Sequence, residues 1–174
     1  FWPRVSSSGR TVWPDGADAL HRPVYTVVDH GAGWLDFDIF CHPGSPTCDW
    51  AQGAPLGQQV GAIGPGGGSC PDTDRLWLFG DQTAMPAITR MLAETRGTAS
   101  AVLCCDAADL GALADDPRVT RCDDLMAALE AMPDPAGGHV WFAADAARAR
   151  AARSHLLARG LTKTQFTAAA YWSR

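Results

Sequence analysis

The sequence predicts a mixed α/β protein in which an antiparallel β part, residues 1–68, precedes a parallel α/β part, residues 69–174. Residues 34–41 alternate between apolar and polar side chains, which is typical of a half-buried antiparallel strand. After residue 74, strand and helix patterns alternate, which favours a parallel sheet covered on both faces. The glycine-rich run at residues 64–68 breaks both patterns and indicates a domain boundary.

In the first part, residues 1–23 are rich in Ser, Gly and Pro and are expected to be irregular. The β-branched residues of Val24–Asp29 predict a strand. Four apolar residues then share one face of the alternating strand Trp34–Cys41: Leu35, Phe37, Ile39 and Cys41. The remaining predictions for this part are a loop over 43–58 with a helical turn around Asp49–Ala51, and a short strand over Gln59–Ile63.

The second part is predicted to contain five strands and three helices. Continuous apolar runs indicate buried strands, and the spacing of Ala84, Ile88, Met91 and Leu92 indicates a helix over 83–95. Acidic residues and Gly160 mark where the later helices begin and end. The predicted strands are 75–80, 101–105, 119–122, 139–144 and 166–172, and the later helices are 124–132 and 145–160.

The composition excludes several classes of protein. With 47% hydrophobic residues, the 174-residue chain can build a core as one ordinary domain or two small ones. It has 14 Lys+Arg against 19 Asp+Glu and no basic block, so we expect no nucleic-acid partner. No apolar run reaches the ~18 residues of a membrane span, and the first residues lack a signal-peptide pattern. We therefore expect no membrane span and a cytoplasmic location.

The six cysteines follow neither the zinc-ribbon nor the thioredoxin pattern, because no two of them form a Cys-x-x-Cys pair. Disulfide scaffolds are usually shorter, loop-rich secreted chains. We expect mostly reduced thiols that act as small hydrophobic side chains. A catalytic cysteine stays open as an alternative, because His42 lies near Cys41 and Cys48, although nothing positions a third member of a triad.

Residues 80–84, Gly-Asp-Gln-Thr-Ala, join the end of a buried strand to the start of a helix. In open parallel sheets, ligands bind at the carboxyl ends of strands, and amides at a helix N-terminus can hold a phosphate. The turn is consistent with a nucleotide site and equally with a simple helix cap. Asp145 ends a second strand in the same way, so both turns can line one crevice. The arginines of the last helix indicate a solvated face: Arg148, Arg150, Arg153 and Arg159.

Several segments, in this order, resemble the siderophore-interacting protein family, which comprises flavin-dependent ferric-siderophore reductases. The quoted matches are Arg-Pro-Val-Tyr-Thr at 22–26, the acidic alternating strand ending in His42, Ser-Pro-Thr-Cys-Asp-Trp-Ala at 45–51, Gly-Asp-Gln-Thr-Ala-Met-Pro-Ala-Ile at 80–88, and Tyr-Trp-Ser-Arg at 171–174. The resemblance implies a flavin-binding β-barrel followed by an α/β nucleotide-binding domain. It also implies FAD as cofactor, NAD(P)H or ferredoxin as electron donor, and a ferric siderophore as substrate.

The resemblance also implies a set of cofactor-binding residues and no catalytic triad. Tyr25 would stack on the flavin ring, and Thr26 would hydrogen-bond near its reactive nitrogen. The other flavin-binding residues implied are Arg22, His42, Cys48, Trp50 and Ala51, and those implied for the nucleotide crevice are Asp81, Thr83, Ala84 and Asp145.

The sequence departs from the family pattern where flavin and anion contacts are expected. Only about twenty residues precede the flavin motif, so the barrel is expected to lack its N-terminal strands. Val28 stands where a second arginine would meet the flavin phosphates, Cys48 stands for a serine, and Gln82 stands for a glutamate. These departures leave an alternative open: a non-catalytic protein that binds a siderophore or another small molecule on the same scaffold.

Overall fold

Five parallel strands form the main sheet of the protein. The structure, a computed structural model, describes residues 4–12, 23–58, 60–64, 66–135 and 137–173. Two further sheets are small antiparallel pairs. The predicted α/β class, with an antiparallel β part and a parallel sheet, is confirmed. In chain order the strands are β1 (Arg4–Val5), β2 (Thr11–Val12), β3 (Val27–Gly31), β4 (Trp34–Phe37), β5 (Arg75–Asp81), β6 (Thr98–Cys104), β7 (Val119–Arg121), β8 (His139–Asp145) and β9 (Phe166–Trp172).

The five-stranded sheet has the order β7-β6-β5-β8-β9, so its two halves grow outward from the β5–β8 pair. Its helices are α2 (Met85–Glu94), α3 (Leu125–Glu130) and α4 (Ala146–Ala158). Short 3₁₀ segments cover Gln82–Ala84 and Ala107–Asp115, and the sequence did not predict the second of these. Within the described ranges, no helix is long and apolar enough to cross a bilayer.

Side chains from alternate positions of β5 enter two separate core layers, one on each face of the sheet. Trp77 and Phe79 pack with α3 and α4, whereas Leu76 and Leu78 pack with α2. All four apolar residues predicted to line α2 are buried: Ala84, Ile88, Met91 and Leu92. The continuous apolar run of β5 is explained by this arrangement, because a strand covered on both faces has no solvent side.

The ends of the helices follow the predicted capping residues. The Asp124 carboxylate accepts hydrogen bonds from the backbone N–H groups at the start of α3, and the Asp145 carboxylate does the same for α4. Gly160 has a φ of +87°, the left-handed conformation that glycine adopts most readily just after a helix. The final strand spans Phe166–Trp172, as the sequence predicted.

The antiparallel part differs from the predictions in several places. Val24 is outside any strand, and β3 begins at Val27 instead. All four residues of β4 are exposed, so the predicted half-buried alternation over 34–41 is wrong: the β3–β4 pair is an isolated hairpin, and neither face of β4 is covered. Residues 60–63, the described part of the strand predicted over Gln59–Ile63, form no ladder. The predicted helical turn around Asp49 is an eight-residue helix, α1 (Pro46–Gly53). Residues 4–12, expected to be irregular, contain β1 and β2.

The chain divides into two compact units. One comprises Phe1–Tyr25 and Ile39–Ser69, and the other comprises Thr26–Asp38 and Cys70–Arg174. The β3–β4 hairpin therefore groups with the parallel sheet, and the Arg90 guanidinium donates a hydrogen bond to the Val27 carbonyl at 3.3 Å. A functional division at residues 68–69 stays a prediction. All six cysteines are free thiols.

Candidate functional site

The carboxyl edge of the parallel sheet has the topology of a ligand crevice. After β5 the chain crosses to one face through α2, and after β8 it crosses to the other face through α4. The connections diverge between these two adjacent strands, which makes the β5–β8 pair the switch point of the sheet. Open α/β sheets bind their ligands outside the carboxyl ends of the strands at such a point.

Asp81, the last residue of β5, is a fully buried carboxylate with partners on both oxygens. Its Oδ1 accepts hydrogen bonds from the Thr83 backbone N–H at 3.0 Å and from the Thr83 hydroxyl at 2.6 Å. Its Oδ2 accepts one from the Trp172 indole N–H at 2.9 Å and lies 3.6 Å from the Arg148 guanidinium. A buried charge is costly unless it is paired and hydrogen-bonded, and Asp81 is both.

Arg148 links the ends of β5 and β8, because its guanidinium also bonds to the Asp145 carboxylate. Burial alone would raise the pKa of Asp145, but its hydrogen bonds with Arg148 and with the Ala147 backbone outweigh burial and lower that pKa. Partial burial would lower the pKa of Arg148, but the carboxylates of Asp145 and Asp81 raise it. Asp145 is thus an ionised N-cap of α4 and a fixed partner of Arg148.

Glycine at position 80 is required by the close packing of β5 on α2. A Cβ there would lie 2.5 Å from the Ala84 Cβ and 2.9 Å from the Ile88 Cδ1. Ala84 is itself fully buried in this contact. Any role that Ala84 has toward a ligand is therefore confined to its backbone. Gly80 and Ala84 of the predicted motif serve packing, whereas Asp81 and Thr83 supply the polar groups.

The end of β9 brings two aromatic side chains to the same edge. Trp172 pairs with Asp145 in the strand register and donates to Asp81. Tyr171 lies edge-on to Trp141, with ring centroids 6.0 Å apart, and shares a hydrogen bond with the Thr26 side chain. Burial raises the pKa of Tyr171, and the bond with Thr26 partly offsets that effect. Thr26, predicted to bind flavin, is therefore connected through Tyr171–Trp172 to Asp81.

The other predicted flavin residues lie in the segment from Pro23 to the end of α1. Tyr25 and Trp50 are half-buried, and the Trp50 indole N–H donates to the Gln58 side chain at 3.3 Å. His42 is exposed, and its Nδ1 lies 3.2 Å from the Pro43 carbonyl oxygen. Ala51 is exposed on α1, and Cys48 is buried on the same helix. Arg22 lies outside the described residues.

A small pocket opens beside α1, with a volume of about 170 Å³. It is lined by Cys41, His42, Pro43, Cys48, Asp49 and Gln52. Drug-sized ligands need clefts of roughly 300–1,000 Å³, so this pocket fits only part of a larger ligand or a very small molecule. It brings together two predicted flavin residues, His42 and Cys48. Among the described residues, no cluster of three or more His, Cys, Asp or Glu could hold a metal ion.

The stretch that contains most of the predicted flavin-binding residues has no lysine or arginine side chain. Residues 23–74 contain no lysine or arginine, and they contain six aspartates. The nearest basic residues in the sequence are Arg22 before the stretch and Arg75 after it. A diphosphate carries negative charge, and the side chains of this stretch that could offer it a positive charge are His30 and His42, beside the positive N-terminal end of α1.

Comparisons with known proteins show which family the chain belongs to. Residues 73–174 match the siderophore-interacting protein family, and residues 1–69 match the siderophore-interacting FAD-binding domain. The chain belongs to the siderophore-interacting protein family. A ferric vibriobactin reductase, ViuB of Vibrio cholerae, is 36% identical over 99 residues, and an uncharacterized protein of Mycobacterium tuberculosis, Rv2895c, is 40% identical over 81 residues. These matches cover 51% and 42% of this chain but only 34% and 29% of those two proteins.

Solved structures of the family share the fold. A siderophore utilization protein from T. fusca superposes with a TM-score of 0.83 at 28% identity, covering 99% of this chain and 73% of that one. The siderophore-interacting protein of Acinetobacter baumannii superposes with a TM-score of 0.72 at 23% identity, covering 92% of this chain and 73% of that one. The second likeness, at this low identity, concerns the fold alone.

The residues present fit the flavin ring better than they fit the diphosphate of FAD. Tyr25 and Trp50 offer aromatic surfaces, and Thr26 and His42 offer hydrogen-bonding groups. The half-buried Val28 offers no polar atom where the family pattern has an arginine. Among the described residues, groups suited to the flavin ring are therefore present, whereas residues 23–64 contain no lysine or arginine for the phosphates.

Sequence reasoning missed Arg148 as a member of the crevice. The predicted solvated face holds for Arg150 and Arg153, which are exposed, whereas Arg148 and Arg159 are half-buried. Three of the four arginines make tertiary contacts: besides Arg148, Arg153 donates to the Ala168 carbonyl at 2.7 Å and Arg159 to the Met132 carbonyl at 3.0 Å. The signal was available for Arg148, because it lies three residues after the capping Asp145, a spacing at which opposite charges meet on a helix. Trp172 had no such local signal, since its partner Asp81 is 91 residues away.

Proposed function

We propose that this protein is a flavin-dependent ferric-siderophore reductase of the cytoplasm. FAD would be its cofactor, NAD(P)H or a ferredoxin its electron donor, and a ferric siderophore its substrate. The match of residues 1–69 to a FAD-binding domain supports the cofactor, and the relative described as a ferric vibriobactin reductase supports the reaction. Reduction would release the metal, because the hard oxygen ligands of a siderophore hold Fe(II) far less tightly than Fe(III).

The observation that carries the proposal is the chain of contacts from Thr26 to Asp81. Thr26 is bonded to Tyr171, the next residue Trp172 donates to Asp81, and Asp81 lies at the switch point of the sheet. A residue of the flavin motif is thereby tied to the crevice expected to receive the electron donor. Thr26 and Asp81 belong to the same compact unit of the chain. Such a link is expected of a reductase and is not required of a simple binding protein.

The redox chemistry would be supplied by bound FAD, which can take up a pair of electrons and release them one at a time. The chain's own residues would bind and orient. Tyr25 would stack on the ring, Thr26 would donate or accept a hydrogen bond at the ring edge, and Trp50 and His42 would border the rest of the cofactor. Thr26 would make this contact while its hydroxyl also interacts with Tyr171.

The polar groups of the crevice that could meet a donor are already engaged with one another. Asp81, Asp145 and Arg148 together carry a net charge of −1, and the Arg148 guanidinium is engaged by both carboxylates. A dinucleotide phosphate would have to compete with those carboxylates for Arg148. Thr83 supplies a backbone N–H and a hydroxyl there, but both are bonded to Asp81. The experiment below therefore compares several electron donors.

The test is a reduction assay on the protein reconstituted with FAD under nitrogen. NADH, NADPH or a reduced ferredoxin is added with a ferric catecholate siderophore, and Fe(II) is trapped with a chromogenic chelator. The proposal expects Fe(II) release that depends on FAD and on one of the donors and that falls in Tyr25→Ala. No Fe(II) above the rate of free FAD with any of the three donors would contradict it.

A second function, binding of a siderophore without flavin, is favoured by one observation: residues 23–74 contain no lysine or arginine. Without compensating charge, the diphosphate of FAD is held weakly. If this function is correct, the protein stays colourless in excess FAD but changes its tryptophan fluorescence on titration with a ferric siderophore. If the reductase proposal is correct, flavin binds whether or not a siderophore is present.

A further inference from the structure

Two thiols lie against each other at the pocket beside α1. The Cys48 sulfur accepts a hydrogen bond from the His42 backbone N–H at 3.3 Å and donates one to the Phe40 carbonyl at 3.5 Å, so it is held by the two residues that flank Cys41. Both thiols line the pocket of about 170 Å³. Cys41 is exposed, whereas Cys48 is buried in the first turn of α1. Disulfides need sulfur atoms within direct reach, and these two thiols face the same small pocket.

The surroundings of Cys48 stabilise its thiolate form. The backbone N–H of His42 donates to its sulfur at 3.3 Å. The hydrogen bond with the Ser45 side chain is the largest cause that lowers the pKa of Cys48; burial opposes it, and the bonds from His42 and Cys41 add to it. Burial and Cys48 itself raise the pKa of Cys41. A helix N-terminus also favours negative charge. The pKa of Cys48 is therefore lowered and the pKa of Cys41 raised, so Cys48 is the thiol of the pair that ionises first.

We propose that Cys41 and Cys48 form a reversible disulfide in response to a peroxide, making the pocket beside α1 a thiol redox site. Nothing in this proposal depends on flavin, because the chemistry uses only the two thiols and the oxidant. It resolves the alternative of a reactive cysteine near His42: His42 acts through its backbone N–H, and the partner is the second thiol.

The reaction balances with peroxide as the sole oxidant. The Cys48 thiolate attacks one peroxide oxygen, the O–O bond breaks, and a sulfenic acid forms on Cys48 while hydroxide leaves. The Cys41 thiol then attacks that sulfur, loses its proton to the leaving hydroxyl and forms the S–S bond as water departs. In sum, two thiols lose two electrons and two protons, and one hydrogen peroxide becomes two waters. A thiol reductant reverses the change by exchange.

The size of the pocket favours a small oxidant over a large one. A water molecule occupies roughly 30 Å³ of liquid volume, so a pocket of about 170 Å³ admits hydrogen peroxide with some water around it. Oxidised glutathione is larger than the pocket and would have to react first with the exposed Cys41, whose pKa is raised. Peroxide should therefore oxidise the pair faster than an equal concentration of oxidised glutathione.

A second thiol pair in the same chain provides a matched control. Cys104 and Cys122 are also hydrogen-bonded to each other, at the ends of β6 and β7. Burial, together with Cys104 and two nearby aspartates, raises the pKa of Cys122 to about 11. Neither pair is a disulfide in the structure. Since the thiolate is the reactive form, the second pair should stay reduced under conditions that oxidise the first.

The experiment treats the reduced, purified protein with hydrogen peroxide or oxidised glutathione, then alkylates the remaining thiols. Cleavage before aspartate releases residues 38–48, which carry both thiols of the first pair and no other cysteine. The proposal expects this fragment to lose both alkylation sites after peroxide, to regain them with dithiothreitol, and to react more slowly with oxidised glutathione. Cys104 and Cys122 should stay alkylated throughout.

Two variants separate the roles of the thiols. Cys41→Ser should leave Cys48 as a sulfenic acid that a dimedone probe traps, and Cys48→Ser should leave Cys41 reduced. Mapping of the wild-type protein decides the proposal even if a variant fails to fold. Full alkylation of fragment 38–48 after peroxide would overturn it, and so would oxidation of Cys104 and Cys122 at the same rate.

Discussion

The carboxyl edge of the parallel sheet and the flavin segment, residues 23–64, hold their side chains in opposite ways. At the sheet edge, Asp81 is fully buried and has partners on both oxygens. In the flavin segment, all four residues of β4 are exposed, and Trp34 keeps half of its surface in solvent. The side chains at the sheet edge are therefore held in place by the buried core of the parallel sheet. The apolar side chains of β4, by contrast, are exposed.

The largest effect that sharpens this comparison is expected from Asp81→Ala. It leaves the Trp172 N–H and the Thr83 groups without their acceptor and removes one partner of Arg148. Loss of one partner from a buried charged network should lower the free energy of unfolding by about 3 kcal/mol. Urea denaturation measures it, with Asp81→Asn as the control that keeps size and part of the hydrogen bonding. A loss under about 0.5 kcal/mol, typical of surface positions, would contradict the account of the edge.

The next effect is expected from Gly80→Ala, which tests packing at the same edge. The added methyl group would lie 2.5 Å from the Ala84 Cβ, so the strand or α2 must shift. Such overpacking should lower the free energy of unfolding by about 1–3 kcal/mol. Gly61→Ala in the flavin segment is the matched control, because a Cβ there meets no atom within 4 Å. Equal losses in the two variants would erase the distinction between the regions.

Val28→Arg tests the flavin segment by adding a positive charge, because residues 23–64 contain no lysine or arginine. A guanidinium near the FAD phosphates should tighten FAD binding about tenfold, since a charge-assisted hydrogen bond contributes about 1.5–3 kcal/mol. The gain should shrink as salt is added. Flavin fluorescence titration measures the affinity. Val24→Arg, at a position that is 92% exposed, adds the same charge as a control. An equal gain in both variants would indicate a general charge effect and contradict a specific role for position 28.

The smallest effect concerns acid stability of the parallel-sheet unit. The Arg118 hydrogen bonds lower the pKa of Asp116 from 3.8 to about 2. Because the folded-state pKa is depressed, the stability that this pair contributes is present above pH 4 and is lost as the pH falls toward 2. Wild type should melt above Asp116→Asn at neutral pH, and the two melting curves should converge near pH 2. Thermal melts across this range measure the difference; a gap that widens in acid would contradict the assignment.

The sequence predicted the parallel sheet well because each signal there was local. The apolar runs, the capping Asp124 and Asp145 and the terminating Gly160 all act within one element. The contacts of Trp172 and Arg159 were beyond prediction, since their partners are far apart in the chain. In the flavin segment, the alternation of β4 was a true strand signal. The prediction that one face of this strand is buried was wrong, because alternation indicates which residues share a face and does not indicate whether that face is covered.

FAD binding by the purified protein tests the central claim most directly. FAD is titrated into wild-type protein and into Tyr25→Ala, and bound flavin is quantified by visible absorbance after removal of free cofactor. Circular dichroism shows in parallel that both proteins are folded. The flavin reductase account predicts saturable binding of one FAD per chain by wild type, weakened in Tyr25→Ala. Folded wild-type protein that retains no flavin from a large excess of FAD would contradict it.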